Sequence, residues 1–167
     1  MSSTSLPAAT NYAFFCCYAL KALVVPSGST TLGTYFCDHC YALRFVSLPS
    51  NITSIGRNVF YYCTSLKFLK IPEGVTAITT YAFAYANGLG SITIPASVTS
   101  VAAYGLGYMY GLDHIKFRGT TPPTFAAATV WTSLPTTCKI YVPVGYLSAY
   151  TSASNYPSSS TYTYVEY

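Results

Sequence analysis

Cys37-Asp38-His39-Cys40 is the densest group of reactive side chains in this chain of 167 residues. Its C-x-x-C spacing is that of a metal or redox motif. A structural zinc site takes four ligands, and no second C-x-x-C or H-x-x-x-H exists to complete one. The other acids are Glu73, Asp113 and Glu166, and the other histidine is His114. Asp113 and His114 are adjacent, so on a strand they face opposite sides. A general acid–base pair would have to be assembled from distant segments. The inventory disfavours an enzyme: no catalytic residue, no metal ligand and no cofactor is expected. Asn51-Ile52-Thr53 is the one glycosylation sequon, and a lone sequon carries no weight.

Where the chain places these residues is set by a repeat. Pro26, Pro49, Pro72 and Pro95 are each 23 residues apart. Aligned on them, one column reads Leu20, Leu43, Leu66, Leu89 and Leu112. The next reads Leu23, Val46, Leu69, Ile92 and Ile115, and a third Val25, Leu48, Ile71, Ile94 and Phe117. Later in the unit come Leu32, Ile55, Ile78 and Val101, then Phe14, Cys37, Phe60, Phe83 and Leu106. A period of this length means a solenoid or a related array. Each unit opens with strand-like alternation, as in Leu69-Lys70-Ile71. Proline then stops the strand, because it has no N–H for the ladder. Stretches such as 81–86 have the spacing of one or two turns of helix or 3-10 helix. One unit cannot bury its apolar side, but stacked units can. Five strands would make a parallel sheet roughly 19 Å across.

In this frame both cysteines of the motif turn inward. Cys37 replaces a core phenylalanine, and Cys40 shares a column with Cys17, Cys63, Ala86 and Met109. His39 aligns with the outward Tyr62, Tyr85 and Tyr108. Cys17, Cys40 and Cys63 read as buried thiols. The alternative is a disulfide between neighbours, since stacked Cα atoms lie ~5 Å apart and bridges span about 4.4–6.8 Å.

The unit L-x-x-(I/L)-x-I-P-x-x-V-T-x-I-x-x-x-A-F-x-x-C resembles the BspA-type leucine-rich repeat. LKFLKIPEGVTAITTYAFAYA at 66–86 matches it nearly throughout, with Ala86 in place of cysteine. FRGTTPPTF at 117–125 and KIYVPVGYLSAYTSASNY at 139–156 resemble the C-terminal cap of that family. The departures are Cys37 and Leu106 in the phenylalanine column and the missing strand before residue 6. The resemblance implies a right-handed leucine-rich-repeat solenoid of the α/β repeat class. It has a parallel sheet on one face, short helical or 3-10 turns on the other, and a C-terminal cap. It also implies a bacterial or microbial-eukaryote surface protein that adheres to host proteins or other cells, without catalytic residues.

The expected organisation is a repeat array over 1–119, with a partial first unit, four full units and a final strand, followed by a capping segment over 120–167. After Gly119 the period stops at Pro122 and Pro123. Residues 139–143 then read as a strand and 146–153 as a short amphipathic helix with Leu147 and Tyr150 inward. A solenoid end exposes apolar surface and requires such a cover.

Only 7% of residues are charged, against about 25% in a typical soluble domain. The surface must therefore be built from Ser, Thr, Tyr, Gly and Asn. The net charge of +4 is too mild and dispersed for a nucleic-acid partner. No apolar run approaches the roughly 20 residues of a membrane helix, so no membrane insertion is expected. The start, MSSTSLPAATNY, has no basic residue and no apolar block, so it is not a secretion signal. Either the chain is not exported by that route, or a signal was removed or left out of this sequence.

Two surfaces remain for binding. The strand face carries Phe45, Phe68, Lys70, His114, Lys116 and Arg118, flanked by Lys21, Arg44 and Lys67. This basic, partly aromatic face suits an acidic protein or a sulfated or sialylated glycan; the bland alternative is that its charges only keep the chain soluble. The opposite side carries columns of tyrosine, among them Tyr62, Tyr85 and Tyr108, and Tyr81 and Tyr104. Tyrosine gives rigid amphipathic contact area, although stacked rings also simply shield a core. The favoured function is extracellular or cell-surface adhesion to a protein or glycan ligand. The alternative is a particle or filament component that self-associates through solenoid ends or tyrosine ladders.

Overall fold

The computed structural model describes residues 10–167. The start of the partial leading unit, residues 6–9, lies outside the described residues. Successive coils begin at the leucine column: coil 1 covers 20–42, coil 2 covers 43–65, coil 3 covers 66–88 and coil 4 covers 89–111. The strands are β1 (Ala22–Val24), β2 (Thr31–Leu32), β3 (Phe45–Ser47), β4 (Ser54–Ile55), β5 (Ala77–Ile78), β6 (Ser91–Ile94), β7 (Ser100–Val101), β8 (His114–Phe117), β9 (Thr124–Phe125), β10 (Lys139–Val142) and β11 (Thr163–Glu166).

All strand pairing is parallel and follows the repeat. The broad face holds β1 and β3, then β6, β8, β10 and β11. A narrower second ladder is formed by β2 with β4 and by β5, β7 and β9. The turn between the two ladders is written by proline. The carbonyls of Pro26, Pro49, Pro72 and Pro95 each accept a hydrogen bond from the amide three residues on.

The apolar columns line the interior. Leu43, Leu66, Leu89 and Leu112 are fully buried in a row, as are Leu32, Ile55, Ile78 and Val101. Two expectations fail at the first coil: Leu20 is only half-buried, and Cys17 is exposed. No described coil precedes them to cover that flank. Cys40 and Cys63 are buried as expected, and all six cysteines are free.

The side opposite the sheet consists of turns. Within a coil, amide-to-carbonyl bonds close over three residues, as from Cys40 to Cys37 (3.2 Å). They never run on into helix, because two residues per coil have positive φ, for example Tyr35 (58°) and His39 (60°). Left-handed backbone costs a non-glycine residue roughly 1–2 kcal/mol. Bonds between coils offset that cost: Tyr35 donates to Arg57, Cys37 to Val59 and His39 to Tyr61, at 2.8–2.9 Å.

The winding continues past Gly119. β9 pairs with β7, a 3-10 helix forms at Ala128–Trp131, and the Thr132 carbonyl accepts from the Tyr108 amide at 2.7 Å. β10 then pairs with β8, Lys139 opposite His114, so this coil is two residues longer than the repeat. A short helix, α1 (Leu147–Ser152), follows. Tyr150 is buried in it and donates to the Gly119 carbonyl at 2.7 Å. Leu147, expected inward, is 37% exposed, because Tyr150 takes the buried position of this six-residue helix. Phe117 and Tyr156 pack against Tyr150, and Phe125 and Trp131 extend the cluster, with Phe125 stacked on Tyr156 at 4.2 Å.

Candidate functional site

The regular stacking opens between coils 2 and 3. One column reads Gly33, Gly56, Thr79 and Ala102. Gly56 lies so close to coil 1 that a Cβ there would sit 2.7 Å from the Gly33 carbonyl carbon. The approach lets the Gly56 amide bond the Leu32 carbonyl at 2.8 Å. At coil 4 Ala102, which also carries a Cβ, makes the equivalent bond to the Ile78 carbonyl at 2.8 Å, but Thr79 does not. The Thr79 hydroxyl, not its amide, donates to the Ile55 carbonyl at 3.1 Å. The second ladder is accordingly broken between β4 and β5.

The broad sheet is interrupted at coil 3, which keeps the Lys67 amide bond to the Arg44 carbonyl of coil 2 at 3.0 Å and, on this face, pairs with no strand of coil 4. Residues 66–71 form no strand, and Phe68 makes a single bridge to Phe45. The expected unbroken five-strand sheet is thus split into β1–β3 and a second group beginning at β6. The Val25 amide donates to the Ser47 carbonyl at 3.0 Å, but the amides of Leu48, Lys70 and Ile71 find no acceptor among the described residues. Leu69, placed in an interior column by the repeat, is only partly buried. Lys21, Arg44 and Lys67 follow one another in register with their backbones still bonded, Arg44 to Lys21 at 2.8 Å and Lys67 to Arg44 at 3.0 Å.

The result is a groove of about 420 Å³ lined by residues 45–48, 67–70, Ser91 and Thr93. Phe68 is 74% exposed and Phe45 47%. Lys67 and Lys70 are exposed beside them. Among the described residues, no ion pair involves Lys21, Arg44, Lys67 or Lys70.

The C-terminal half of the strand face differs. Arg118 pairs with Glu73, reaching back across coil 4. Lys116 lies 3.5 Å above the centre of the Tyr167 ring, and His114 packs edge-on against Tyr141 at 5.3 Å. The structure therefore gathers Phe45, Phe68, Lys67 and Lys70 and leaves His114, Lys116 and Arg118 in contacts of their own. Lys21 and Arg44 precede their strands and extend the free basic edge toward coil 1. Ser47, Ser91 and Thr93 share the outward strand columns of Lys70 and Phe68, and Leu48, expected in an interior column, is only partly buried and lines the groove.

On the opposite side the tyrosines stack in register. His39 lies on Tyr62 (5.0 Å), Tyr62 on Tyr85 (4.3 Å) and Tyr85 on Tyr108 (4.5 Å). Tyr81 lies on Tyr104 at 4.9 Å. The Tyr62 column and the Tyr81–Tyr104 pair have positive φ throughout. The geometry is a continuous ladder with no cleft. Desolvation, then the neighbouring Tyr62 and Tyr108 phenols, push Tyr85 up to about 12; burial raises Tyr164 to about 12 and also raises Tyr150 and Tyr156. Above pH 10 the unfolded phenols ionise while the folded ones keep their protons. The unfolded chain then binds fewer protons, so stability falls as pH rises from 10 to 12. Denaturant titrations across that window, followed by phenolate absorbance, should show the midpoint dropping as the stacked phenols ionise late.

The C-x-x-C segment is part of the scaffold. Cys37, Cys40 and Asp38 are buried. The Cys40 thiol donates to the Phe14 carbonyl and the Cys63 thiol to the Cys37 carbonyl, at 3.0 and 3.1 Å. Asp38 bonds the Nδ1 of His39. Burial raises the Asp38 carboxyl, and His39 offsets part of that rise. No three His, Cys, Asp or Glu side chains gather as a metal site among the described residues, and no described helix is long and apolar enough to cross a membrane.

The family described as BspA type leucine rich repeat region matches residues 5–122, in six copies. No curated protein matches the chain. Among solved structures, the leucine rich repeat protein of T. pallidum, TpLRR, superposes with a TM-score of 0.68 at 17% identity, over 94% of this chain and 74% of that one. A leucine-rich repeat protein from Bacteroides ovatus gives 0.58 at 18% identity, over 81% of this chain and 47% of that one. The pneumococcal vaccine antigen PcpA gives 0.61 at 15% identity, over 88% and 41%. This chain thus spans less than half of each of the last two. Identities this low show a shared fold.

Proposed function

The chain belongs to the BspA-type leucine-rich repeat family, and from that premise we propose that it is a non-catalytic binding module of a cell-surface or secreted protein. It receives an acidic protein or glycan ligand on the N-terminal half of its strand face. The groove between coils 2 and 3 carries this reading: exposed Phe45 and Phe68 lie beside Lys67 and Lys70, which have no acidic partner among the described residues. Rigid scaffolds with preformed concave sites lose little entropy on binding. Exposure at the cell surface is supported by family membership and by one structural relative being a vaccine antigen.

A binding array of sulfated, sialylated and neutral glycans and extracellular host proteins tests it. Joint substitution of Arg44, Lys67 and Lys70 by Gln should remove most of the signal. Joint substitution by Ser of Tyr41 and Tyr110, exposed residues that flank the ladder beside Tyr62 and Tyr85, should leave it intact. The reverse pattern would move the binding surface to the tyrosine ladder.

A further inference from the structure

The strand-face reading leaves the ligand open between protein and glycan, and the groove's own chemistry separates them. Resting on that reading, we propose that the opening between coils 2 and 3 binds an anionic saccharide. A sugar ring lies on Phe68, and its carboxylate or sulfate group meets Lys67, Lys70 and the unpaired amides of Leu48 and Lys70.

Size is the first ground. A volume of about 420 Å³ sits low in the ~300–1,000 Å³ range of small-ligand pockets. It admits one or two sugar rings and not a folded surface. Hydrogen-bonding character is the second. Lys67 and Lys70 supply ammonium donors with no acceptor, and the amides of Leu48 and Lys70 are donors without partners. No carboxylate lines the groove, and Ser47, Ser91 and Thr93 add hydroxyls that both donate and accept. Such a donor excess fits an anion flanked by hydroxyl groups. The aromatic rings are the third. The face of a phenylalanine ring is electronegative, and a pyranose presents a sheet of C–H bonds to it. Phe68, at 74% exposure, offers that face and has no other evident use. An acidic peptide is the competing occupant, because β6 ends its sheet with one edge unpaired beside the groove; the groove's volume and the exposed ring of Phe68 favour the sugar.

Calorimetric titration of the whole chain with a heparin-derived disaccharide, sialyllactose, lactose and an oligoglutamate peptide decides the matter. At least one anionic sugar should bind, lactose should not, and the sulfate and carboxylate arms identify the anion. Phe68→Ala should weaken the anionic sugar about tenfold or more, and so should joint Lys67→Gln and Lys70→Gln. Lys116→Gln should change it less than twofold. Unfolding curves check that each variant folds, which the exposure of these side chains favours. The proposal is overturned if neither anionic sugar binds, if Phe68→Ala has no effect, or if the peptide binds as tightly as the sugars. Peptide binding lost with Lys67 and Lys70, without sugar binding, would overturn the saccharide and leave the strand-face reading standing. Array binding that survives the Arg44, Lys67 and Lys70 substitutions would remove both.

Discussion

Replacing Phe83 by alanine is expected to lower the unfolding free energy by about 3–5 kcal/mol, the range for emptying a buried phenylalanine site. Phe83 is fully buried, stacked on Phe60 of the preceding coil at 5.8 Å with the rings 11° from parallel. Coils above and below are held by inter-coil hydrogen bonds: Phe60 donates to Ala82 and Phe83 to Gly105. They cannot collapse independently into the cavity, so most of the lost contact stays lost. Phe68→Ala is the matched control. Its ring is mostly in solvent, and surface changes of this kind usually stay within about 0.5 kcal/mol. Urea denaturation of the two variants beside the parent checks both numbers. Equal effects would mean that the columns do not divide core from surface as described.

Cys37→Phe should be destabilising by about 1–3 kcal/mol, although it restores the commoner residue of its column. The reason lies one position earlier. Residues 36, 59, 82 and 105 are Phe, Val, Ala and Gly, while residues 37, 60, 83 and 106 are Cys, Phe, Phe and Leu. Wherever the second of the pair is large, the first is smaller. In coil 2's neighbour the sizes are exchanged: Phe36 is buried and meets Phe14 edge-on at 5.3 Å, and Cys37 takes the small place. A phenylalanine at both positions overfills that layer. Adding Phe36→Ala to Cys37→Phe should recover most of the loss, a coupling that a double-mutant cycle in urea measures. Additive losses would contradict the exchange of volumes.

The period itself was legible because each column repeats one physical demand. Leu43, Leu66, Leu89 and Leu112 are interchangeable, so spacing alone reveals the row. The inward direction of Cys40 and Cys63 and the stacking of His39 on Tyr62 followed from the same register. Features that depend on departure from the repeat were harder to read. Leu20 and Cys17 obey the pattern but lack a covering coil. The positive φ of the tyrosine columns left only a faint sign, Asn58 in one column and His39 in the other, since tyrosine itself does not favour that backbone. The continued winding past Gly119 was hidden because β10 returns after 25 residues and not 23.

The candidate site was half legible. Phe45, Phe68, Lys67 and Lys70 share a face by alternation alone. Which cations are free was not, because Arg118 reaches Glu73 across coil 4 and Lys116 meets a tyrosine 51 positions later, at Tyr167. The groove lies where residues 66–71 of coil 3 leave the strand pattern, which the alternation of Leu69-Lys70-Ile71 did not foretell.

Residue-resolved amide hydrogen exchange on the free protein tests the central claim most directly, that a closely stacked solenoid opens on its strand side between coils 2 and 3. The inter-coil amides of Val25, Gly56 and Ala102 should exchange slowly, and those of Leu48 and Lys70 should exchange much faster within the same molecule. Equal protection of Leu48 and Lys70 with Val25 would mean an unbroken ladder, and with it no groove.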